Sequence, residues 1–253
     1  MENIIIDRDH KTAIITINRP QSLNALNAKT IQELSEAIDA LNADQDCRVI
    51  ILTGSGEKSF VAGADIKEFS DFNTEQAEAL ARNGQNSLFN KLENSKKPTI
   101  AAINGFALGG GLELAMSCHI RYASDNAKLG LPEVTLGLIP GYGGTQRLPK
   151  LVGKGIANEM IFSAKMISAT KAKEIGLVNE VCTQEELLDK TKELAAQIAK
   201  NSPMGIEKAI EVINLSDTPE GYEAEIKAFG ALFEMQDKQE GVTAFLEKRK
   251  PNF

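Results

Sequence analysis

The sequence predicts a mixed α/β fold that ends in an all-helical segment. Two observations lead to this prediction. β-Branched runs alternate with segments of helical hydrophobic spacing up to about residue 153, and strand patterns almost disappear beyond that point. A chain of 253 residues, of which 42% are hydrophobic, can bury a large core, as expected for one large domain or for a domain with an extension.

The first part of the chain carries three strand patterns, at 3–7, 12–18 and 48–54, where β-branched residues cluster beside charged turns. A helix is expected within 27–46, because apolar residues recur there at helical spacing. These residues are Ile31, Leu34, Ile38 and Leu41. Strand, helix and strand therefore follow one another, as in α/β proteins.

The alternation continues with a helix around 74–94, a strand at 98–104 and a glycine-rich turn that opens another helix. Beyond residue 153, only "GLVNEV" at 176–181 resembles a strand. Proline and glycine residues delimit the helices predicted there: 154–164, 168–175, 183–201, 203–215, 219–236 and 239–248. Such a helical segment can fold back on the core or pack against a neighbouring subunit.

The overall charge argues against a protein that binds nucleic acids or membrane surfaces. The net charge is −7, whereas phosphate backbones and anionic lipids require a basic surface. Three widely spaced cysteines fit neither a disulfide framework nor a zinc or redox motif, which indicates a reducing compartment. The N-terminal segment lacks the charge order and the apolar length of a signal peptide. We therefore expect a cytoplasmic protein.

The most apolar run of the chain, at 100–120, contains an ionisable residue, Glu113. The run is long enough to span a bilayer, but three consecutive glycines, Asn104 and Glu113 lie near its centre and disfavour a membrane span. A buried strand followed by a buried helix is the better interpretation. The presence of a carboxyl group in such surroundings then requires an explanation.

The glycines before Glu113 suggest an oxyanion site. The first amides of a helix have no partner within the helix, and together with the helix dipole they favour an oxygen that acquires negative charge. Gly109, Gly110 and Gly111 lack β-carbons, so a ligand can approach the backbone closely. Burying an ionised carboxylate without partners is costly, so Glu113 should be neutral, hydrogen-bonded, or in contact with water or substrate in a cavity.

A second carboxyl group in apolar surroundings, that of Glu133, precedes Pro140 and another glycine cluster. Two such groups can act as acid and base, although either one alone could be a helix cap or a buried salt-bridge partner. The segment 58–69 turns from apolar to charged through small residues, and Asp65 could cap a helix start there. Taken alone, this segment is most simply interpreted as an ordinary turn with a capping aspartate.

Only two histidines are present, His10 and His119, so a Ser-His-Asp triad or a multi-histidine metal site has little material. His119 lies at the expected end of a helix and is interpreted as structural. The glycine clusters fit neither the dinucleotide-binding fingerprint nor the P-loop spacing. We therefore expect no metal site and no nucleotide-binding fold of these types.

Taken together, these segments resemble the enoyl-CoA hydratase family, also called the crotonase family. The similarity runs from the first strand to the C-terminus, and the pattern is most similar to that of the short-chain hydratases that act on crotonyl-CoA. Five stretches occur in the order and spacing of the family: "NRPQSLNALN" at 18–27, "FVAGADIKEF" at 60–69, "AAINGFALGGGLELAMSC" at 101–118, "LPEVTLGLIPGYGGTQRLPKLVG" at 131–153 and "FLEKRKPNF" at 245–253.

The resemblance implies a crotonase-like spiral of ββα units that forms two nearly perpendicular sheets. It implies a core at 1–190 and a C-terminal helical region at 191–253, which assembles the chain into homotrimers or, by stacking of trimers, homohexamers. The implied enzyme is a lyase that reversibly adds water, with syn geometry, to a short-chain trans-2-enoyl-CoA and gives a 3-hydroxyacyl-CoA. No separate cofactor and no metal are implied, because coenzyme A is part of the substrate.

The resemblance also implies roles for individual residues. The backbone amides of Ala64 and Gly110 would hold the thioester oxygen, and Glu113 and Glu133 would flank the reacting double bond. Substrate and coenzyme A would bind along a set of residues that are mostly in one segment: Ala62, Gly63, Ala64, Asp65, Ile66, Lys67, Gly110 and Gly141. Near the C-terminus, Lys248 and Lys250 could either complement a helix end or reach coenzyme A phosphates.

Two alternatives stay open: an enoyl-CoA isomerase or another acyl-CoA enzyme of the crotonase family, and an RNA-binding homologue of the hydratase. An enoyl-CoA isomerase typically needs only the carboxyl group at the position of Glu133, whereas water addition uses both, and this chain has both. One branch of the family binds RNA through a basic first helix. The equivalent segment here, 27–46, carries Lys29 against five acidic residues, a charge that should repel phosphates.

Overall fold

The computed structural model describes all 253 residues and contains a six-stranded sheet and a four-stranded sheet. The strands of the larger sheet are β1 (Ile4–Asp9), β2 (Thr12–Ile17), β3 (Val49–Gly54), β5 (Thr99–Ile103), β7 (Ile120–Ser124) and β10 (Glu180–Cys182). They lie in that order across the sheet. The β1–β2 pair is antiparallel, and every other neighbouring pair is parallel.

The smaller sheet consists of β4 (Ser59–Val61), β6 (Phe106–Leu108), β8 (Lys128–Gly130) and β9 (Ile167–Ser168), in that order. Successive strands alternate between the sheets: β3, β5 and β7 lie in the larger sheet, and β4, β6 and β8, which follow them, lie in the smaller one. Helices connect these pairs. The chain therefore winds as a spiral of ββα units, and the predicted α/β fold is confirmed.

Ten α-helices accompany the sheets: α1 (Ala28–Ala43), α2 (Thr74–Gly84), α3 (Asn90–Glu93), α4 (Gly110–Ser117), α5 (Gly144–Ser163), α6 (Ala169–Glu174), α7 (Leu187–Ile198), α8 (Pro203–Ile213), α9 (Gly221–Leu232) and α10 (Gln236–Leu246). A π-helical segment, Gln85–Phe89, joins α2 to α3. The start of α1 is capped by the Asn27 side chain, which accepts the Thr30 N–H at 2.9 Å.

The core lies on both faces of the larger sheet. All five residues of β5, "TIAAI", are buried, as expected for a parallel strand that is covered on both sides. Alternate residues of β2 enter different clusters, with Ile15 in the main core beside α1 and α4 and Ile14 in a smaller cluster beside α7. The site described below lies at the start of α4, beside α2 and the segment 132–142.

The structure differs from the sequence predictions in two ways. The four strands of the smaller sheet, each of two or three residues, were not predicted. The helix predicted at 154–164 begins ten residues earlier, at Gly144, and is interrupted at Gly153, whose φ of 80° and ψ of 155° are not helical. The run at 100–120 forms β5, β6 and α4, and none of the helices has the length and apolarity needed to cross a membrane.

Candidate active site

A pocket of about 280 Å³ opens between α2, the start of α4 and the segment 132–142. Most of its lining is apolar and comes from four parts of the chain. The apolar side chains include Ile66, Phe69, Leu80, Leu108, Leu138 and Ile139. The only acidic residues in the lining are Glu113 and Glu133, so both predicted carboxyl groups face one mainly apolar cavity.

The glycines before Glu113 are required by the close approach of three chain segments. Gly109 has a φ of +50°, a conformation that residues with a β-carbon rarely adopt. A β-carbon on Gly111 would collide with the carbonyl oxygen of Val61 in β4, so α4 packs directly on the backbone of the smaller sheet. Gly110 is the first residue of α4, and its N–H therefore has no partner within the helix.

The amide of Ala64 is presented by an isolated parallel bridge to Leu26. In this bridge the N–H of Leu26 donates to Gly63 O at 2.8 Å, and the N–H of Asp65 donates to Leu26 O at 2.7 Å. The N–H of Ala64 lies on the other side of the strand and donates no hydrogen bond within the protein. A β-carbon on Gly110 would lie 3.5 Å from this nitrogen, so the Ala64 and Gly110 amides border the same space.

Glu113 is held by main-chain donors. Its Oε1 accepts the N–H of Tyr142 at 2.8 Å and the N–H of Gly144 at 2.7 Å. Glu113 lies on α4 and its side chain is buried. This burial raises the pKa of the carboxyl group to about 7. The hydrogen bond from Gly144 opposes the rise in pKa, and the nearby carboxyl group of Glu133 adds to it. The group can therefore exchange a proton near neutral pH.

Glu133 begins a 3-10 turn, Glu133–Leu136. A β-carbon on Gly109 would lie 2.8 Å from Glu133 Oε1, so the missing side chain leaves room for this carboxyl group. The other oxygen, Oε2, is buried and has no hydrogen-bond partner within the protein. Burial raises the pKa of Glu133. Burial thus shifts this carboxyl group toward its protonated form, which is the form that can donate a proton.

Six of the eight residues predicted to bind substrate line the pocket: Ala62, Gly63, Ala64, Ile66, Gly110 and Gly141. Asp65 and Lys67 do not. The Asp65 carboxylate pairs with Arg19 at 3.2 Å instead, and Lys67 is exposed to solvent. Asp65 occupies the N-cap position of the 3-10 turn Ile66–Glu68, but its side chain makes no capping hydrogen bond, so the predicted capping role is wrong.

The wall that α2 contributes was not predicted from the sequence. Ala77, Leu80 and Ala81 line the pocket from this helix, and their spacing of three and four residues was the available signal. Tyr142, which supplies an amide to Glu113, was also missed as a site residue.

His119 has the structural role that the sequence suggested. Its Nδ1 accepts the N–H of Thr99 at 3.0 Å, and its Nε2 lies 3.1 Å from the carbonyl oxygen of Glu93. Burial lowers the pKa of His119, so the neutral imidazole is favoured, with Nε2 as the donor. The histidine thus joins β5 to the end of α3.

Comparison with known proteins identifies the family of this chain. A model of the family described as enoyl-CoA hydratase/isomerase matches residues 7–253. The short-chain-enoyl-CoA hydratase of Clostridium acetobutylicum is 48% identical, with 99% of this chain and 97% of the relative covered. The crotonyl-CoA hydratase of Syntrophomonas wolfei is 47% identical, with 100% and 98% covered.

Solved structures agree with these sequence matches. The crystal structure of an enoyl-CoA hydratase from Bacillus anthracis has a TM-score of 0.92 and 41% identity, and the match covers 100% of this chain and 99% of that one. A Geobacillus kaustophilus structure described as subunit I of the enzyme has a TM-score of 0.94 and 41% identity, with 99% and 97% covered. Sequence, fold and site geometry agree: this chain belongs to the enoyl-CoA hydratase/isomerase family.

Proposed function

We propose that this protein is an enoyl-CoA hydratase that reversibly adds water, with syn geometry, to short-chain trans-2-enoyl-CoA thioesters and gives 3-hydroxyacyl-CoA. The observation that carries the proposal is the pairing of two carboxyl groups, Glu113 and Glu133, with two amides, Ala64 and Gly110, around one apolar pocket. The names of the relatives from Clostridium acetobutylicum and Syntrophomonas wolfei support the same reaction and a short acyl chain.

The two amides would polarise the thioester. When water adds to C3 of the conjugated alkene, negative charge develops on the carbonyl oxygen, and the N–H groups of Ala64 and Gly110 are free to stabilise it. Losing one such donor typically costs about 3 to 4 kcal/mol of the barrier. Main-chain donors are fixed before the substrate arrives, so little reorganisation is needed.

The two carboxyl groups would divide the proton transfers. Glu113, in its ionised form, takes a proton from the attacking water, and Glu133, in its protonated form, delivers a proton to C2. In dehydration the roles reverse. Burial raises the pKa of Glu113 to about 7, so this group can exchange a proton near neutral pH, and burial also raises the pKa of Glu133. The reaction as proposed needs neither a metal nor a redox cofactor, since coenzyme A enters with the substrate.

The decisive experiment follows loss of the conjugated-thioester absorbance of crotonyl-CoA and of longer enoyl-CoAs. Glu113→Gln should lower kcat by about three orders of magnitude or more while binding of saturated butyryl-CoA is retained, because the side-chain shape barely changes. Glu159→Gln, on an exposed face of α5, is the matched control and should retain full activity. Near-full hydratase activity in Glu113→Gln would contradict the proposal. Isomerase activity without hydration in the unmodified enzyme would favour an isomerase.

We also propose that coenzyme A lies along the backbone of 62–67. The basic end of the chain is a further candidate contact. Arg249 is already paired with Glu240 at 2.7 Å, whereas Lys248 and Lys250 form no ion pair within the chain. These two lysines are therefore available to the coenzyme A phosphates of their own or a neighbouring subunit. Binding of the coenzyme A phosphates by Lys248 and Lys250 stays a prediction. The cytoplasmic location of the protein also stays a prediction.

The proposed assembly is a homotrimer, or a homohexamer made of two trimers. Support comes from the C-terminal helices, which carry large apolar side chains that are more than half exposed in the single chain: Tyr222, Ile226, Phe229, Phe233, Phe245 and Leu246. Apolar surface of this extent usually marks an interface. Light scattering should give three or six times the protomer mass of 27.4 kDa. A monomer at micromolar concentration would contradict the proposal, and Phe229→Asp should weaken the assembly.

A further inference from the structure

The two amides that hold Glu113 come from one short segment, 140–144. The peptide group that joins Tyr142 to Gly143 is held by Arg147, whose Nη1 donates to the Tyr142 carbonyl oxygen at 2.9 Å. Tyr142 therefore donates to Glu113 through its N–H and accepts from Arg147 through its C=O. The bond to Arg147 therefore fixes the peptide group that lies between the two amides that donate to Glu113.

Arg147 is buried and connects this segment to a second layer. Its Nη2 donates to Asn90 Oδ1 at 2.9 Å, and its Nε donates to Glu93 Oε2 at 3.1 Å. Both acceptors lie on α3, which packs behind the site. A charged guanidinium group with three different acceptors has its orientation fixed, which a single ammonium group in the same place could not achieve.

The fit between Arg147 and the segment is close. Gly143 has a φ of +98°, and a β-carbon there would collide with the guanidinium group, so glycine is required on both grounds. Two neutral contacts reach the same segment from the π-helical turn. Gln85 donates to Gly141 O at 2.7 Å, and the ring of Phe89 stacks on that of Tyr142 with centroids 4.6 Å apart.

We propose that Arg147 is a positioning residue for Glu113: it fixes the Tyr142 and Gly144 amides on the carboxyl group and places a positive charge behind it. Arg147 does not line the pocket and has no contact with the substrate in this proposal. The inference deepens the proposed hydration and rests on it for its kinetic consequences. Its geometric consequences can be measured on the ligand-free protein.

The charges around Glu113 give the direction of the effect. Burial is the main cause of the raised pKa of Glu113; the carboxyl group of Glu133 raises this pKa further, and the positive charge of Arg147 lowers it. The phenol of Tyr142 is neutral in this range, since burial raises its pKa to about 12. Removing the charge of Arg147 therefore moves the titration of Glu113 to higher pH.

The test is a carbon-13 NMR titration of the Glu113 carboxyl group in the ligand-free protein, with the signal assigned by its absence in Glu113→Gln. In Arg147→Met we expect the titration midpoint to move to higher pH. Glu93→Gln neutralises one of the three acceptors of Arg147 but keeps the arginine charge, so it should leave the midpoint in place although it also costs stability. A midpoint that is the same in Arg147→Met and the unmodified protein would overturn the proposal.

Arg147→Lys separates charge from hydrogen bonding. It should leave the Glu113 midpoint near that of the unmodified protein while the amide resonances of Tyr142 and Gly144 shift, because one ammonium group cannot replace the three contacts. Unchanged amide resonances in this variant would overturn the proposal even if Arg147→Met failed to fold. These readouts need no turnover, so they remain decisive if the unmodified protein proves not to hydrate enoyl-CoA.

Kinetics then tests the catalytic consequence. Arg147→Met should lower the kcat of crotonyl-CoA hydration by about 10- to 100-fold, since small displacements of a reacting group have effects of this size. The acid limb of its pH profile should move to higher pH, and Arg147→Lys should restore the position of that limb. A purely structural role predicts loss of kcat in parallel with stability and an unmoved acid limb in all three variants.

Discussion

Replacing Glu113 with glutamine should make the fold more stable at alkaline pH while it abolishes the proposed chemistry. Burial raises the pKa of Glu113 in the folded protein to about 7, above the ordinary value of 4.5. Between these two pH values the folded state binds a proton that the unfolded chain has already lost, so stability falls as the pH rises through this range. Below about pH 4.5 the carboxyl group costs nothing, and above about pH 7 the whole cost is present.

The size of the effect follows from the two pKa values. Each pH unit between them corresponds to about 1.4 kcal/mol, so the ionised group costs about 3 kcal/mol at about pH 8. Glutamine removes this cost and keeps an oxygen that can accept the Tyr142 and Gly144 amides. We therefore expect Glu113→Gln to exceed the unmodified protein in free energy of unfolding by about 2–3 kcal/mol at about pH 8 and by about 0.7 kcal/mol at about pH 5, and to match it at about pH 4.

Urea unfolding at several pH values, at one fixed protein concentration, measures this difference. Urea is preferable to guanidinium chloride because it adds no ionic strength, and a fixed concentration holds any contribution of assembly constant. The exposed Glu159→Gln should follow the unmodified protein at every pH. A stability difference between Glu113→Gln and the unmodified protein that does not grow with pH would refute the reasoning, and so would a difference of the opposite sign.

Three further predictions concern proton donation and packing. Glu133→Gln should lower hydration kcat by orders of magnitude and remove the basic limb of the kcat–pH profile, because the proposed proton donor is gone. Asn104→Ala should cost about 2–4 kcal/mol in urea unfolding, since its buried amide bonds the backbone of 54–56; the exposed Asn83→Ala should not. Gly111→Ala should cost about 3 kcal/mol or more by collision with β4, whereas Gly155→Ala, with open space around it, should gain about 0.5 kcal/mol.

The long elements were predictable because their patterns are long. The β-branched run of β2 and the helical spacing in α1 extend over enough residues to establish their periods. The strands of the smaller sheet have two or three residues, too few to show alternation, and they exist because neighbouring strands pair with them. The start of α5 was missed because Gly143, Gly144 and Pro149 are typical of a loop.

In the site, the carboxyl groups and glycines could be identified from residue type and setting, but their partners could not. Asp65 pairs with Arg19, which lies 46 positions earlier in the chain, and Arg147 pairs with Glu93, which lies 54 positions earlier. No local sequence pattern predicts contacts between residues that are so far apart in the chain. The spiral brings these segments together, so their pairing becomes visible only once the fold is known.

The main-chain support of Glu113 affects how the enzyme tolerates substitution. Side-chain replacement cannot delete an amide, except by proline, so most changes at Tyr142 leave the donor itself in place. Sensitivity should instead concentrate at positions whose change moves the backbone, such as Gly111 and Gly144, where an added β-carbon meets Val61 and Pro140. A saturation library scored for activity should therefore show its deepest losses at these glycines and at the two glutamates, with the apolar wall of α2 far more permissive.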